Sequence, residues 1–88
     1  MLALDDTGTP SVKGRTVFDT GGTTAITDFD DGAVGQTIQI IASHQVTITD
    51  GASIILSGGA NFDMVITDTL TLTMFDNQVW QEVSRSVN

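Results

Sequence analysis

The chain has few side chains with which to do chemistry. His44 is the single histidine, there is no cysteine, and the acidic groups are ten aspartates and Glu82. A Ser–His–Asp relay needs a base held against a nucleophile. His44 lies in a short turn-like stretch, Ser43-His44-Gln45, and nothing in the spacing gives it such a neighbour, so it is expected at the surface. Asp28-Phe29-Asp30-Asp31-Gly32 has the acidic, glycine-ended character of a calcium loop. Its ligand order is wrong and the closing Glu is missing, so a solvated turn is expected. Neither Gly21-Gly22 nor Gly58-Gly59 leads into a helix or a Lys-Ser/Thr pair, so neither is a phosphate loop. The two carboxylates of a glycosidase could be drawn from eleven, but no spacing singles out a pair. Trp80 could stack on a sugar; its place in a strand-like run points to the core or a subunit interface instead. The sequence therefore assigns no catalytic residue, no metal ligand and no cofactor, and reads as non-enzymatic.

The totals narrow the partners. Net charge is −8, with Lys13, Arg15 and Arg85 the only basic side chains. Phosphate backbones and anionic membranes both require clustered Lys and Arg, so neither nucleic acid nor membrane is expected. Met1-Leu2-Ala3-Leu4 is too short an apolar run for a signal peptide. A chain of 88 residues buries only about 60–65% of its unfolded surface. Small chains recover stability through disulfides, metals or partners; the absence of cysteine excludes disulfides and thiolate metal sites, which leaves an economical monomer core or burial against other subunits.

The elements that would position any site read as strands throughout. Residues 1–11, broken by Asp5, Asp6, Gly8 and Pro10, read as an extended arm, with Leu2, Leu4 and Pro10 as candidate docking residues; 12–88 read as one all-β domain. Short strands are expected at Val12 to Phe18, Thr23 to Phe29, Gln36 to Ala42, Val46 to Thr49 and Ser53 to Ser57. The clearest stretch begins at Ile66: Leu70, Leu72 and Met74 alternate with Thr69, Thr71 and Thr73, the period-two signature of a half-buried strand. Asp76-Asn77 should turn it into a return strand, Val79 to Val83. Ile26, Ile38, Ile40, Ile48, Ile54, Leu56, Ile66, Leu70, Leu72, Met74 and Trp80 are the expected core or trimer-packing positions.

One tripeptide recurs: Ile26-Thr27-Asp28, Ile48-Thr49-Asp50 and Ile66-Thr67-Asp68, at intervals of 22 and 18 residues. A period near twenty is that of a β-solenoid rung or an interwoven β-prism. In each copy the isoleucine should point inward and the aspartate should begin a turn.

A longer set of features follows one order: Thr9-Pro10-Ser11-Val12, Val17-Phe18-Asp19-Thr20, Thr24-Ala25-Ile26-Thr27-Asp28-Phe29, Gly32, Gly35-Gln36-Thr37-Ile38, Thr47-Ile48, Ile54-Ile55-Leu56-Ser57-Gly58-Gly59, Asn61-Phe62 and Asp68-Thr69-Leu70-Thr71-Leu72. It closes on Val79-Trp80-Gln81-Glu82-Val83-Ser84-Arg85-Ser86. In this order the chain resembles, over residues 9 to 86, the module that ends tail fibres and tailspikes of tailed bacteriophages. The resemblance implies a trimeric, all-β, interwoven β-prism or β-sandwich-like module with a structural role on the exterior of the virion, assembled in the host cytoplasm. Partners would be two further copies and the major capsid protein or other virion proteins. Two placements follow from it: a capsid cement or decoration protein docked through the arm, which the short chain favours slightly, or the terminal trimerisation or host-recognition domain of a fibre or spike. In the host-recognition case, Trp80, His44 or Asn61 would lie exposed at one end to meet a surface glycan.

Overall fold

The computed structural model describes residues 1–88. Its strands are β1 (Leu2–Ala3), β2 (Val17–Asp19), β3 (Thr37–Ile41), β4 (Val46–Ile48), β5 (Ile54–Ile55), β6 (Phe62–Met64), β7 (Thr69–Asp76) and β8 (Val79–Ser86), with one 3-10 turn at Ser57–Gly59 and no α-helix. Six strands form a sheet in the order β1-β2-β3-β7-β8-β5, and β4 and β6 form a second, two-stranded one. The fold is all-β.

The first half of the chain is a stack of three parallel rungs. β2 pairs parallel with β3, Val17 on Gln39 through Asp19 on Ile41. Further along, Ile26 pairs parallel with Ile48. At both places the partner lies 22 residues ahead, 17 to 39 and 26 to 48, so one register runs along the whole rung and around its corner. The interval of 22 between the first two Ile-Thr-Asp copies is therefore the length of a rung, and Ile26 sits directly on Ile48. Backbone bonds fasten that contact on both sides: Ile26 N–H donates to Thr47 C=O at 2.9 Å and Thr49 N–H to Ile26 C=O at 2.8 Å.

Residues 1–11 are not a free arm. They form the first rung, with β1 parallel on β2 and Ser11 bridged to Asp30. Leu4 N–H donates to Asp19 C=O at 2.8 Å and Val12 N–H to Asp30 C=O at 2.9 Å. Leu4 and Pro10 are buried and Leu2 is exposed. The cause is geometric: glycine at position 21 leaves room for the first rung to lie close, since a Cβ there would fall 1.7 Å from the Leu4 carbonyl oxygen. With its leucine in the core, the segment belongs to the one domain instead of preceding it.

After the third rung the chain turns back. β6 pairs antiparallel with β4 from Met64 on Val46 to Phe62 on Ile48, and β7 pairs antiparallel with β3 from Thr69 on Ile41 to Thr73 on Thr37. Between them, Ala42 N–H donates to Asp68 C=O at 2.9 Å and Thr67 N–H to Ala42 C=O at 2.8 Å. Residues 62–76 thus retrace residues 37–48 in reverse, around the same corner. The third Ile-Thr-Asp copy falls on that corner. Thr67 takes a left-handed φ of 78°, and Ile66 is 62% exposed, so Ile66 lies outside the core that the chain closes on itself, although its repeat position would have put it there. A β-branched residue at such a φ is uncommon; here Asp68 holds the turn by accepting from Val65 N–H at 3.0 Å.

Other expectations shift less. The run at 23–29 contributes one bridge at Ile26, Val12 to Phe18 shortens to Val17–Asp19, and Ser53 to Ser57 to Ile54–Ile55; β6 was not foreseen. The β7–β8 hairpin forms as expected, with its turn one residue later: Gln78 has φ 57°, and Asp76 Oδ1 accepts from Asn77 N–H at 2.8 Å. Leu70, Leu72 and Met74 are fully buried while Thr69, Thr71 and Thr73 are half-buried on the other face. Together with Ile26, Ile38, Ile40, Ile48, Ile54, Leu56 and Trp80 they belong to an 18-residue apolar core that closes within a single chain. The pattern predicts opposite outcomes for two copies of one tripeptide. Ile48→Ala should cost about 2–5 kcal/mol, whereas Ile66→Ala should fall within about 0.5 kcal/mol, as read by urea unfolding of the two variants.

Candidate functional site: turn clusters, a charged clamp and the outer sheet face

His44 is half-buried, and its Nδ1 lies 2.9 Å from Thr20 Oγ1. That oxygen also accepts Ser43 N–H at 2.9 Å. Ser43 Oγ donates instead to Asp19. Serine, histidine and aspartate are close in space, but the serine is bound to the aspartate and the histidine to a threonine that is 2% exposed. No nucleophile–base pair results; the cluster ties the corner of the second rung to that of the third.

The Asp28–Gly32 loop spends its carboxylates on the backbone and on a hydroxyl. Asp28 Oδ1 accepts Phe29 N–H at 2.8 Å, and Asp31 Oδ2 accepts Ser11 Oγ at 2.6 Å. Burial, with Asp30 nearby, pushes the Asp28 carboxyl above the usual range, against the opposing bond from Phe29. No three His, Asp or Glu side chains in the fold are arranged to hold a metal ion.

Trp80 is fully buried, so no sugar can stack on it. Its ring meets Phe29 edge-on, centroids 6.1 Å apart at 77°. Its Nε1 donates to Phe29 C=O at 3.2 Å. Gly32 permits this, because a Cβ there would lie 2.5 Å from both Trp80 Cζ2 and Met74 Cε. Of the residues proposed to meet a glycan, only Asn61 is exposed, and its side-chain oxygen accepts Asp50 N–H at 2.9 Å.

The best-formed polar cluster is one the sequence does not show. Arg85 binds Glu82 with both ends of its fork, Nη2 at 2.7 Å and Nε at 2.8 Å. Ser57 N–H adds a bond to Glu82 at 2.9 Å, and the guanidinium lies 3.9 Å over the Phe62 ring. In a regular strand residues three apart face opposite ways. A bulge intervenes: Leu72 pairs with Glu82 but Thr71 with Ser84, leaving Val83 over and turning Arg85 to the side of Glu82. The Arg85 hydrogen bonds hold the Glu82 carboxyl below its usual range, and Glu82 in turn raises Arg85.

The other two cations, Lys13 and Arg15, flank a shallow groove of about 450 Å3 with Asp31 and Gln36. The outer face of the six-stranded sheet carries Thr37 and Gln39 of β3, the three β7 threonines and Gln81 of β8, with Val17 and Ile55 beside them through the pairings of Val17 with Gln39 and of Ile55 with Gln81; Phe75 and Val83, at the two register shifts of β7 and β8, are exposed as well. No protein-family model, curated protein sequence or solved structure matches this chain.

The two perturbed carboxyls give opposite pH signatures. Glu82 is depressed in the fold, so its contribution is present above its unfolded value and is lost as pH falls through the folded one. Asp28 is raised, so its contribution is present at low pH and is lost as pH rises through its folded value. Glu82→Gln should therefore lower Tm at pH 7 by up to about 4–8 °C, for a loss near 1 kcal/mol, and by little at pH 3. Asp28→Asn, which retains an acceptor for Phe29, should raise Tm at pH 7 by a few degrees and leave it unchanged below pH ~4. Thermal melts of both variants at the two pH values check the signs.

Proposed function

We propose that this chain is a non-enzymatic structural module of a bacteriophage virion, acting as a homotrimer on the particle's exterior. The observation that carries this reading is the pairing of the third rung on both of its edges, parallel with the second and antiparallel with residues 62–76. That arrangement is rigid, and no buried polar side-chain atom is left without a partner. It suits a part that bears load and presents a surface. It agrees with the resemblance to modules that end tail fibres and tailspikes, whose role is structural. Assembly would take place in the host cytoplasm.

The apolar core is complete in one protomer, so a trimer would form from folded protomers through their outer surfaces instead of by sharing strands. The threonine-rich outer face, with Val17 and Ile55 exposed on it, is the surface such a trimer would use. The docking role proposed for residues 1–11 loses support because Leu4 and Pro10 are spent in the core. That favours the terminal module of a fibre or spike over a capsid cement protein. Recognition of a host glycan is the second reading, supported by Asn61 and the Lys13–Arg15 groove. Light scattering on a sizing column tests the trimer: a mass near three times 9.3 kDa, unchanged on dilution, is expected, and a monomer across the whole concentration range refutes it.

A further inference from the structure

Aspartate precedes glycine twice in this chain, at Asp31-Gly32 and at Asp50-Gly51. In such a pair the glycine nitrogen, unshielded by any side chain, can close on the aspartate carboxyl carbon to form a succinimide ring. The fold treats the two pairs oppositely. Gly51 N–H donates to Ile54 C=O at 2.9 Å, and Asp50 Oδ1 accepts Leu56 N–H at 2.8 Å. Both reacting groups of that pair are held in a turn, and their bonds have to open before nitrogen and carboxyl can meet. Gly32 lies outside the strands, and its N–H donates to no group in the chain. Asp31 is exposed, and its carboxylate takes a single bond, from Ser11 Oγ to Oδ2 at 2.6 Å.

The first pair is also one the fold requires. A Cβ at position 32 would lie 2.5 Å from Met74 Cε and from Trp80 Cζ2, so the core admits only glycine there. Asp31 has a φ of 66°, a left-handed conformation in which Asp and Asn are the enriched residues with a side chain. Gly51 is under neither constraint: an added Cβ would meet nothing within 4 Å. Packing around Trp80 thus imposes glycine on position 32, and the same packing leaves an unbonded amide beside an exposed carboxylate.

We infer that Asp31-Gly32 is a site of spontaneous modification, where aspartate isomerises to isoaspartate in the folded protein, and that Asp50-Gly51 is protected from the same reaction. Gly32 N forms a bond to Asp31 Cγ. The amide proton, one carboxyl oxygen and a proton from solvent leave as water. Water then adds to either carbonyl of the ring. Opening at Cγ restores aspartate; opening at the main-chain carbonyl leaves Gly32 joined through Cγ, with one more carbon in the backbone. Mass is unchanged and no other reactant is needed. The added carbon displaces Gly32, which lies against Trp80 and whose C=O accepts Gln78 Nε2 at 3.0 Å. The loop stays tied to the first rung through Asp30 N–H on Pro10 C=O at 2.9 Å, but it loses its hold on the β7–β8 turn. Isomerisation therefore frees one side of the tryptophan as the protein ages. The reaction belongs to one protomer, so its failure and the failure of the trimer are separate results.

The test warms the full chain at neutral pH in water enriched in heavy oxygen. Both sites are followed by peptide mapping with electron-transfer fragmentation, which separates isoaspartate from aspartate. In the folded chain isoaspartate should form at residue 31 at least about fivefold faster than at residue 50, the factor that one net backbone hydrogen bond represents. Each product should carry a heavy oxygen from ring opening. In urea, where neither turn persists, the two rates should converge. Equal rates in the folded chain, or a faster rate at residue 50, overturn the proposal, as does isoaspartate at residue 31 without heavy oxygen. Trp80 is the only tryptophan, so its emission reads the consequence and should shift to the red in step with isoaspartate at residue 31. Asp31→Glu would have to close a larger, slower-forming ring, so its emission should hold steady over the same period. An equal red shift in that variant overturns the link between ring closure and the loop. Mapping of the unsubstituted chain decides the site by itself should the glutamate disturb the turn.

Discussion

The third rung, residues 37–49, is paired on one edge with a parallel rung and on the other with an antiparallel one. One edge carries the parallel register with residues 17–27, the other the antiparallel register with residues 62–74. Parallel and antiparallel ladders place their bonds differently, so a strand that serves both must hold one regular pleat. Thr37–Ile41 does so, with Ile38 and Ile40 fully buried between the leucines of β7 and Phe18 of β2. Position of every other element follows from it. The first rung is placed by the second, and the second by the third. The returning rung takes its corner from Ala42, and β8 reads its register from β7. Hydrophobic burial of about 1.5–3 kcal/mol for each fully buried Ile or Leu is gained only where these ladders hold the side chains in one column.

What the sequence revealed was set by how local the governing interactions are. The Leu-Thr alternation of 69–74 reports burial against one face of one sheet, and a period of two is enough to read it. The tripeptide interval of 22 reported the rung length, because residues stacked in neighbouring rungs face one environment and tend toward one chemistry: Ile26 and Ile48 both fill the column, and Asp28 and Asp50 both accept backbone N–H groups at the turns that follow, Asp28 from Phe29 and Asp50 from Leu56. The third copy misled for the same reason. Asp68 does accept at its turn, from Val65 and from Asn88, but the chain has reversed direction, and reversal moves the isoleucine from the column to the corner. A tripeptide carries no record of strand direction.

The features that stayed hidden depend on contacts between distant segments. Residues 1–11 have the composition of an arm, and only the meeting of Leu4 with Gly21, 17 positions away, shows that they form a rung. The Glu82–Arg85 clamp depends on one extra residue in β8, and a bulge is a mismatch between two strands that neither strand carries alone. Trp80 was legible as a packing residue from its strand position, whereas its partner, Phe29, lies 51 positions earlier and is brought there by the rung stack.

The distribution of charge follows from the same architecture. Of the eleven carboxylates and three cations, a single ion pair forms, and it lies at the bulged end of the sheet. The aspartates sit largely at rung corners, where Asp28, Asp50, Asp68 and Asp76 each accept a backbone N–H that a turn would otherwise leave without a partner. Acidity in this chain is thus largely a consequence of turning often: each corner needs a short acceptor, and aspartate supplies one while tolerating irregular backbone. The resulting net charge opposes casual association between copies, so any lasting contact has to come from bonds of fixed geometry. In this fold those are offered by the threonine face of the sheet.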